Sequence, residues 1–217
     1  MAGFSVTGDQ FWTVDGRMSD IKRQLSVRGG SPLDPNKVAM ALQAITEGKF
    51  DLVPKAFLTW RTVRIGVHKS LAAYLAAAEA KGHKIGTYAA QILPSVEWAQ
   101  EESDLELVEV LDSDAGMVDG YTFDQLAAVV TSQYDLELLP AEAGPAVRDQ
   151  YLDQPMDEWR GIAMKPRADS DANLLVFSVG RRSDGTWLNT CYAHPAYRFN
   201  LGLRWLFARR KRPASQG

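Results

Sequence analysis

The feature that most constrains the fold is a change of hydrophobic rhythm near residue 159. From there on, four short runs rich in β-branched and aromatic residues follow one another, at 159–164, 174–179, 186–192 and 203–208. Ser183-Asp184-Gly185 stands between the second and third runs and is a hairpin signal. Connections this tight favour antiparallel pairing. The last third therefore predicts an antiparallel β-meander.

Before residue 159 the spacing is mixed. Gln10 to Val14 reads as a short strand closed by Asp15-Gly16, and Met18, Ile21 and Leu25 start a helix with Ser19 as its cap. Asp34-Pro35 is a helix start, with Pro at the first helical position, and Val38, Leu42 and Ile45 carry that helix to Gly48. Residues 49–59 contain Pro54 and read as a linker. Beyond it the spacing predicts a strand over 60–67 and a helix over 70–81 capped by Ser70. It then predicts a helix over 87–93, an alternating strand over 104–111 and a helix from Thr122. A second alternating strand over 135–139 and a short helix from Gly144-Pro145 to Tyr151 complete this part. The expected class is α+β: a helical N-terminal segment (1–58), then an α+β domain (59–212) with a mixed α/β middle and the C-terminal antiparallel β-meander, and a tail at 213–217.

Charge is distributed in blocks. Residues 1–96 hold 12 Lys+Arg against 7 Asp+Glu, residues 97–158 hold 17 Asp+Glu against one Arg, and residues 159–217 hold 11 Lys+Arg against 3 Asp+Glu. Charges cost least when both signs are interspersed, so the acidic middle is expected to lie against the basic ends. Helix 122–133 must bury Phe123, Leu126 and Val130, and the sheet is the nearest surface that can take them. The competing reading is a basic face turned to a partner.

Composition excludes several classes. With 46% apolar and 24% charged residues the chain is neither disordered nor fibrous. Cys191 is its only cysteine, which excludes an intrachain disulfide and a Cys-rich zinc site. Met1 to Gly16 carry Asp9 and Asp15 and no apolar run, so no signal peptide is expected, and no stretch has the length of a membrane span. The expected location is cytoplasmic.

Motifs for chemistry are sparse. Asp112 and Asp114 follow a strand, where an aspartate pair can hold Mg²⁺, but the alternation of Glu106 and Glu109 suits a half-exposed strand, so an acidic surface loop is expected. Asp169-Ser170-Asp171 reads as a polar connecting loop. Arg28-Gly29-Gly30-Ser31 matches neither phosphate-loop pattern, and no G-x-S-x-G or H-E-x-x-H occurs. Cys191 and His194 supply two metal ligands at most, and Cys191 is expected as a packed thiol. No cofactor is implied. Trp159, Trp187 and Trp205 fall in the predicted sheet, and Arg181, Arg182, Trp187, Arg204 and Trp205 are the candidate binding residues. Arg209-Arg210-Lys211-Arg212 reads as a basic tail.

These observations favour a non-catalytic binding or interaction module whose partner is a protein or a second copy. The alternatives are a metal-dependent enzyme acting on a nucleotide or phosphate ester through Asp112 and Asp114, and a nucleic-acid-binding protein using the basic aromatic sheet.

Three stretches carry a resemblance. They are Arg28-Gly-Gly-Ser-Pro-Leu-Asp-Pro to Phe50, Thr59-Trp-Arg-Thr-Val-Arg-Ile-Gly66 with Lys84-Ile-Gly86, and Pro140-Ala-Glu-Ala-Gly-Pro145 through Trp159 to Met164. With Asp184-Gly185 and Trp187-Leu188 they make the chain resemble a family of small uncharacterised bacterial proteins common in reduced-genome lineages. The resemblance implies a bacterial cytoplasmic origin. It implies no activity and no site.

Overall fold

Two units divide the chain, Met1–Pro54 and Lys55–Gly217. The computed structural model describes residues 7–27, 33–48 and 57–210. In the first unit α1 spans Gly8–Leu25 and α2 spans Pro35–Thr46. The strand expected at 10–14 is instead the first part of α1. A five-residue run with no partner strand cannot satisfy its backbone as a strand, whereas Val14, Met18, Ile21 and Leu25 continue a helical stripe through Asp15-Gly16. In α2 the Asp34 carboxylate accepts the Asn36 N–H at 2.9 Å, as the Asp-Pro start requires. Arg28 to Pro32, Lys49 to Ala56, and Lys211 and Arg212 lie outside the described residues. The first and second groups hold the supposed phosphate-loop stretch and most of the expected linker, and the third holds part of the basic tail.

The second unit is a nine-stranded mixed sheet with helices on both faces, an α+β fold. Its elements are β1 (Thr59–Ile65), α3 (Leu71–Ala80), β2 (Lys84–Ile85), α4 (Thr87–Ile92), β3 (Ser103–Leu111), α5 (Phe123–Gln133) and β4 (Leu136–Glu137). They are followed by α6 (Ala143–Gln150), β5 (Trp159–Ile162), β6 (Arg167–Ala168), β7 (Leu174–Arg182), β8 (Gly185–Tyr192) and β9 (Arg204–Arg209). Strands are ordered β1-β3-β9-β5-β7-β8-β2, with β4 added to β9 and β6 to β7. β5, β7 and β8 form the expected antiparallel meander, turned at Ser183-Asp184-Gly185. β9 does not extend it beyond β8. It crosses back, pairs antiparallel with β3 and parallel with β5, and so joins the two halves of the sheet.

That placement disperses the charge blocks. Acidic β3 lies between basic β1 and basic β9, and the acidic segment is paired to both ends: Arg64 with Asp104 at 3.0 Å, Arg61 with Asp153 at 2.9 Å, Arg204 with Glu109 at 2.6 Å.

Side chains alternate across the sheet. On β7, Leu175, Phe177, Val179 and Arg181 point to one face, and Val176, Ser178, Gly180 and Arg182 to the other. The first face is covered by α6, which packs on β1, β7 and β8, with α3 against α6 and α4 against β8. α6 is buried along almost its whole length, and a Cβ at its Gly144 would lie 2.7 Å from the Phe177 ring. The second face is covered over β9 by α5, whose Phe123 ring packs 5.4 Å from that of Trp205. A full capping box starts α5: Thr122 Oγ1 accepts the Gln125 N–H, and Gln125 Oε1 accepts the Thr122 N–H. Over β5, β7 and β8 no described helix of this unit covers the second face.

Candidate functional site: an open pocket on the second face of the sheet

The uncovered stretch holds a cavity of about 270 Å³ lined by Trp159, Gly161, Ser178, Arg182, Asn189, Cys191, Arg204 and Trp205, with Arg160, Thr190 and Leu203 at its margin. Its shape begins with two strand glycines. A Cβ on Gly161 would stand 2.4 Å from the six-membered ring of Trp205, and one on Gly180 would stand 2.2 Å from that of Trp159. Both indoles therefore lie flat over the backbone, and any larger residue at 161 or 180 would lift them. Glycine inside a strand commonly marks such a close approach.

The polar groups are all donors or neutral. Arg182 stacks its guanidinium 5.0 Å from the Trp159 ring, and among the described residues no carboxylate pairs with it. Arg204 and Arg160 are held by Glu109, at 2.6 and 2.5 Å. Asn189 Oδ1 accepts the Thr190 N–H at 2.9 Å, which takes one of its two acceptor positions. Ser178 is buried at the floor. Burial raises the Cys191 pKa, partly offset by its hydrogen bond with Ser178, so the group stays a neutral thiol. Among the described residues no carboxylate lines the cavity.

The five residues singled out from sequence separate here. Arg182, Arg204 and Trp205 line the pocket. Arg181 points to the opposite face and donates to the Gln154 carbonyl at 2.8 Å. Trp187 lies outside the lining: its Nε1 donates to Asp184 at 2.9 Å, and Lys84 sits 5.2 Å from its ring. Trp205 is 1% exposed, so its ring forms a wall and has no free face for stacking. Ser178 and Asn189 were not foreseen. Gly161 and Gly180 inside strand patterns were the available signal.

Asp112 also differs from expectation. It is fully buried, so the segment is not an acidic surface loop. Its oxygens accept four hydrogen bonds, from Ser113 N at 2.7 Å, Gly202 N at 3.0 Å, Leu203 N at 2.9 Å and the Tyr121 hydroxyl at 3.0 Å. The Trp205 indole N–H in turn donates to Tyr121 at 3.2 Å. Asp112 thus positions the start of β9 and, through Tyr121, one wall of the pocket. Asp114 is half-buried in the following 3-10 turn. Among the described residues no group of three His, Cys, Asp or Glu side chains is arranged to hold a metal ion.

The covered face carries a second polar cluster. Asp149, at the end of α6, takes Lys81 Nζ at 2.7 Å and lies 3.3 Å from His68 Nε2. Burial alone would raise its pKa, but Lys81 and His68 outweigh this and hold it below the usual carboxylate value. His83 pairs its Nδ1 with Thr186 Oγ1 at 2.8 Å. Burial, with Arg148 and Lys81 acting in the same direction, brings its pKa down to about 4, so it is neutral near pH 7. The charged groups acting on it are Arg148, Asp149 and Lys81, and the Thr186 hydroxyl is the group within hydrogen-bond reach of its ring. Asp169 caps the β6–β7 loop, accepting the Asp171 and Asn173 N–H groups at 2.9 Å each.

Compared with known proteins, the chain matches no family model, no curated protein and no solved structure. Among the described residues no helix is long and apolar enough to cross a membrane.

Proposed function

We propose that the protein is a non-catalytic, cytoplasmic binding module and that the open pocket over β5, β7 and β8 receives a small molecule. The observation that carries this reading is a cavity walled by two indoles that holds an unneutralised Arg182 and, among the described residues, no carboxylate. Ligand sites are concave and largely apolar, with a few placed polar groups, and this one combines those properties. The lone Cys191 suits a reducing compartment.

Two partner readings compete. A protein partner or second copy is supported by the exposed Phe11, Trp12 and Val14 of α1. A nucleic acid is supported by the arginines of the C-terminal strands, although the burial of Trp205 leaves little aromatic surface for bases to stack on. A metal-dependent reaction at Asp112 would have to displace its four hydrogen-bond donors.

The test is a small-molecule fragment screen by NMR, followed through the indole N–H signals of Trp159 and Trp205, alongside a sedimentation series and a DNA and RNA titration. Fragments that shift those two signals in monomeric protein support the reading. Silence toward fragments, with shifts that depend on protein concentration or on nucleic acid at low salt, would replace it with the corresponding alternative.

A further inference from the structure

Resting on that reading of the pocket, we infer that its ligand is a flat organic anion: an aromatic ring system bearing a single carboxylate. Three properties of the site converge on this class.

The first is charge. Arg160 faces both Glu158 and Glu109, and Arg204 faces Glu109, so two carboxylates match these two guanidiniums within the fold. Arg182 faces only the Trp159 ring. A guanidinium has five N–H donors, and a carboxylate can take two of them side by side. One unmatched positive charge calls for one negative charge on the ligand. The Cys191 thiol stays protonated and does not supply it.

The second is the sense of the hydrogen bonds. Arg182 offers donors. One of the two acceptor positions of the Asn189 oxygen is taken by the Thr190 N–H, and its NH₂ donates. A ligand rich in donors would find few acceptors here, whereas a carboxylate brings acceptors only.

The third is shape. The Trp159 ring lies flat against Gly180 and is partly exposed, so it offers the cavity a planar surface, while the buried Trp205 ring closes the cavity beside it without an open face. The volume of about 270 Å³ lies just below the roughly 300–1,000 Å³ of sites for drug-sized ligands. It has room for one or two fused rings and none for a peptide or an oligonucleotide. A planar wall favours a ring over a flexible chain, which would lose rotamer freedom on binding.

The experiment uses three probes on the full chain by calorimetry: 2-naphthoate (flat and anionic), 2-naphthamide (flat and neutral) and hexanoate (anionic and flexible). Location is read from the Trp159 and Trp205 indole signals. Naphthoate is expected to bind at least about tenfold tighter than either other probe, a difference of about 1.4 kcal/mol. Arg182→Gln should remove at least about tenfold of naphthoate affinity, while Arg198→Gln, on an exposed loop, leaves it unchanged. Unchanged thermal unfolding of Arg182→Gln shows that the loss is not one of folding. Equal binding of the amide, or an unaffected Arg182→Gln, overturns the anionic class and leaves the small-molecule reading standing. Equal binding of hexanoate overturns the flat class in the same way. If none of the three probes moves the two indole signals and the fragment screen is also silent, the pocket reading itself falls.

Discussion

Asp112 shows how a single carboxylate can organise a chain at a distance. Three backbone N–H groups and a tyrosine hydroxyl converge on it, two of the N–H groups from residues ninety positions away. Buried donors left without an acceptor cost about 1–3 kcal/mol each, so Asp112→Ala should destabilise the protein by at least about 3 kcal/mol in urea denaturation. Asp112→Asn keeps one acceptor oxygen but presents an NH₂ to groups that also donate, and should lose nearly as much. A change below about 1 kcal/mol in both variants would mean that Asp112 is not the anchor of β9. From sequence, Asp112-Ser113-Asp114 looked like surface acid because its donors come from Gly202 and Leu203. No local pattern reports hydrogen bonds that the tertiary fold brings from so far. Arg181 and Arg182 are adjacent in the chain and lie on opposite faces, so composition alone placed both in one patch.

Among the elements, those with local stop and start signals were legible. Ser70, Thr122 and the Asp34-Pro35 pair each start a helix within a residue of where the cap chemistry puts it. The Ser183-Asp184-Gly185 turn fixes the β7–β8 register. Gln10 to Val14 misled because Phe, Trp, Thr and Val favour strands only when a neighbouring strand receives them, and here they continue a helix. The capping box of α5 has a consequence for the pocket, since Phe123 at the first helical position packs on Trp205. Thr122→Ala should cost about 1 kcal/mol, and Thr122→Ser, which keeps the oxygen, only a few tenths. Chemical denaturation of the two variants separates them; equal stabilities would remove the cap from the account.

Over the whole molecule, the sheet order brings opposite charges together, and α3 packs against α6, with His83 just after α3 and Asp149 near the end of α6. His83 has a folded pKa of about 4 against an ordinary value of 6.5. Between those values the unfolded chain binds the proton more readily, so stability falls as pH drops from about 6.5 toward 4. Asp149 acts in the same direction, because its depressed pKa adds stability that is lost as acid protonates it. Urea midpoints at pH 7, 5.5 and 4.5 should decline steadily, and His83→Gln should flatten the upper part of that decline. A flat profile in the unmodified protein would contradict the burial of a neutral imidazole. What composition could not show was which blocks meet: the −16 of residues 97–158 and the +8 of residues 159–217 meet because β9 is inserted next to β3.

That insertion also sets an order of assembly. A ribosome delivers β3 and β5 well before β9, yet in the finished sheet β9 lies between these two strands and carries the backbone pairing to both. During synthesis the nascent chain can close the β1–β3 hairpin-like pair and the β5–β7–β8 meander as separate pieces, each with a bare edge. Only when residues 204–209 emerge can the two pieces be sewn together, and the same event brings Trp205 over Gly161 and completes the pocket wall. The pocket is thus the last part of this unit to be completed, and a nascent chain stalled before β9 would display two bare strand edges and an open pocket wall.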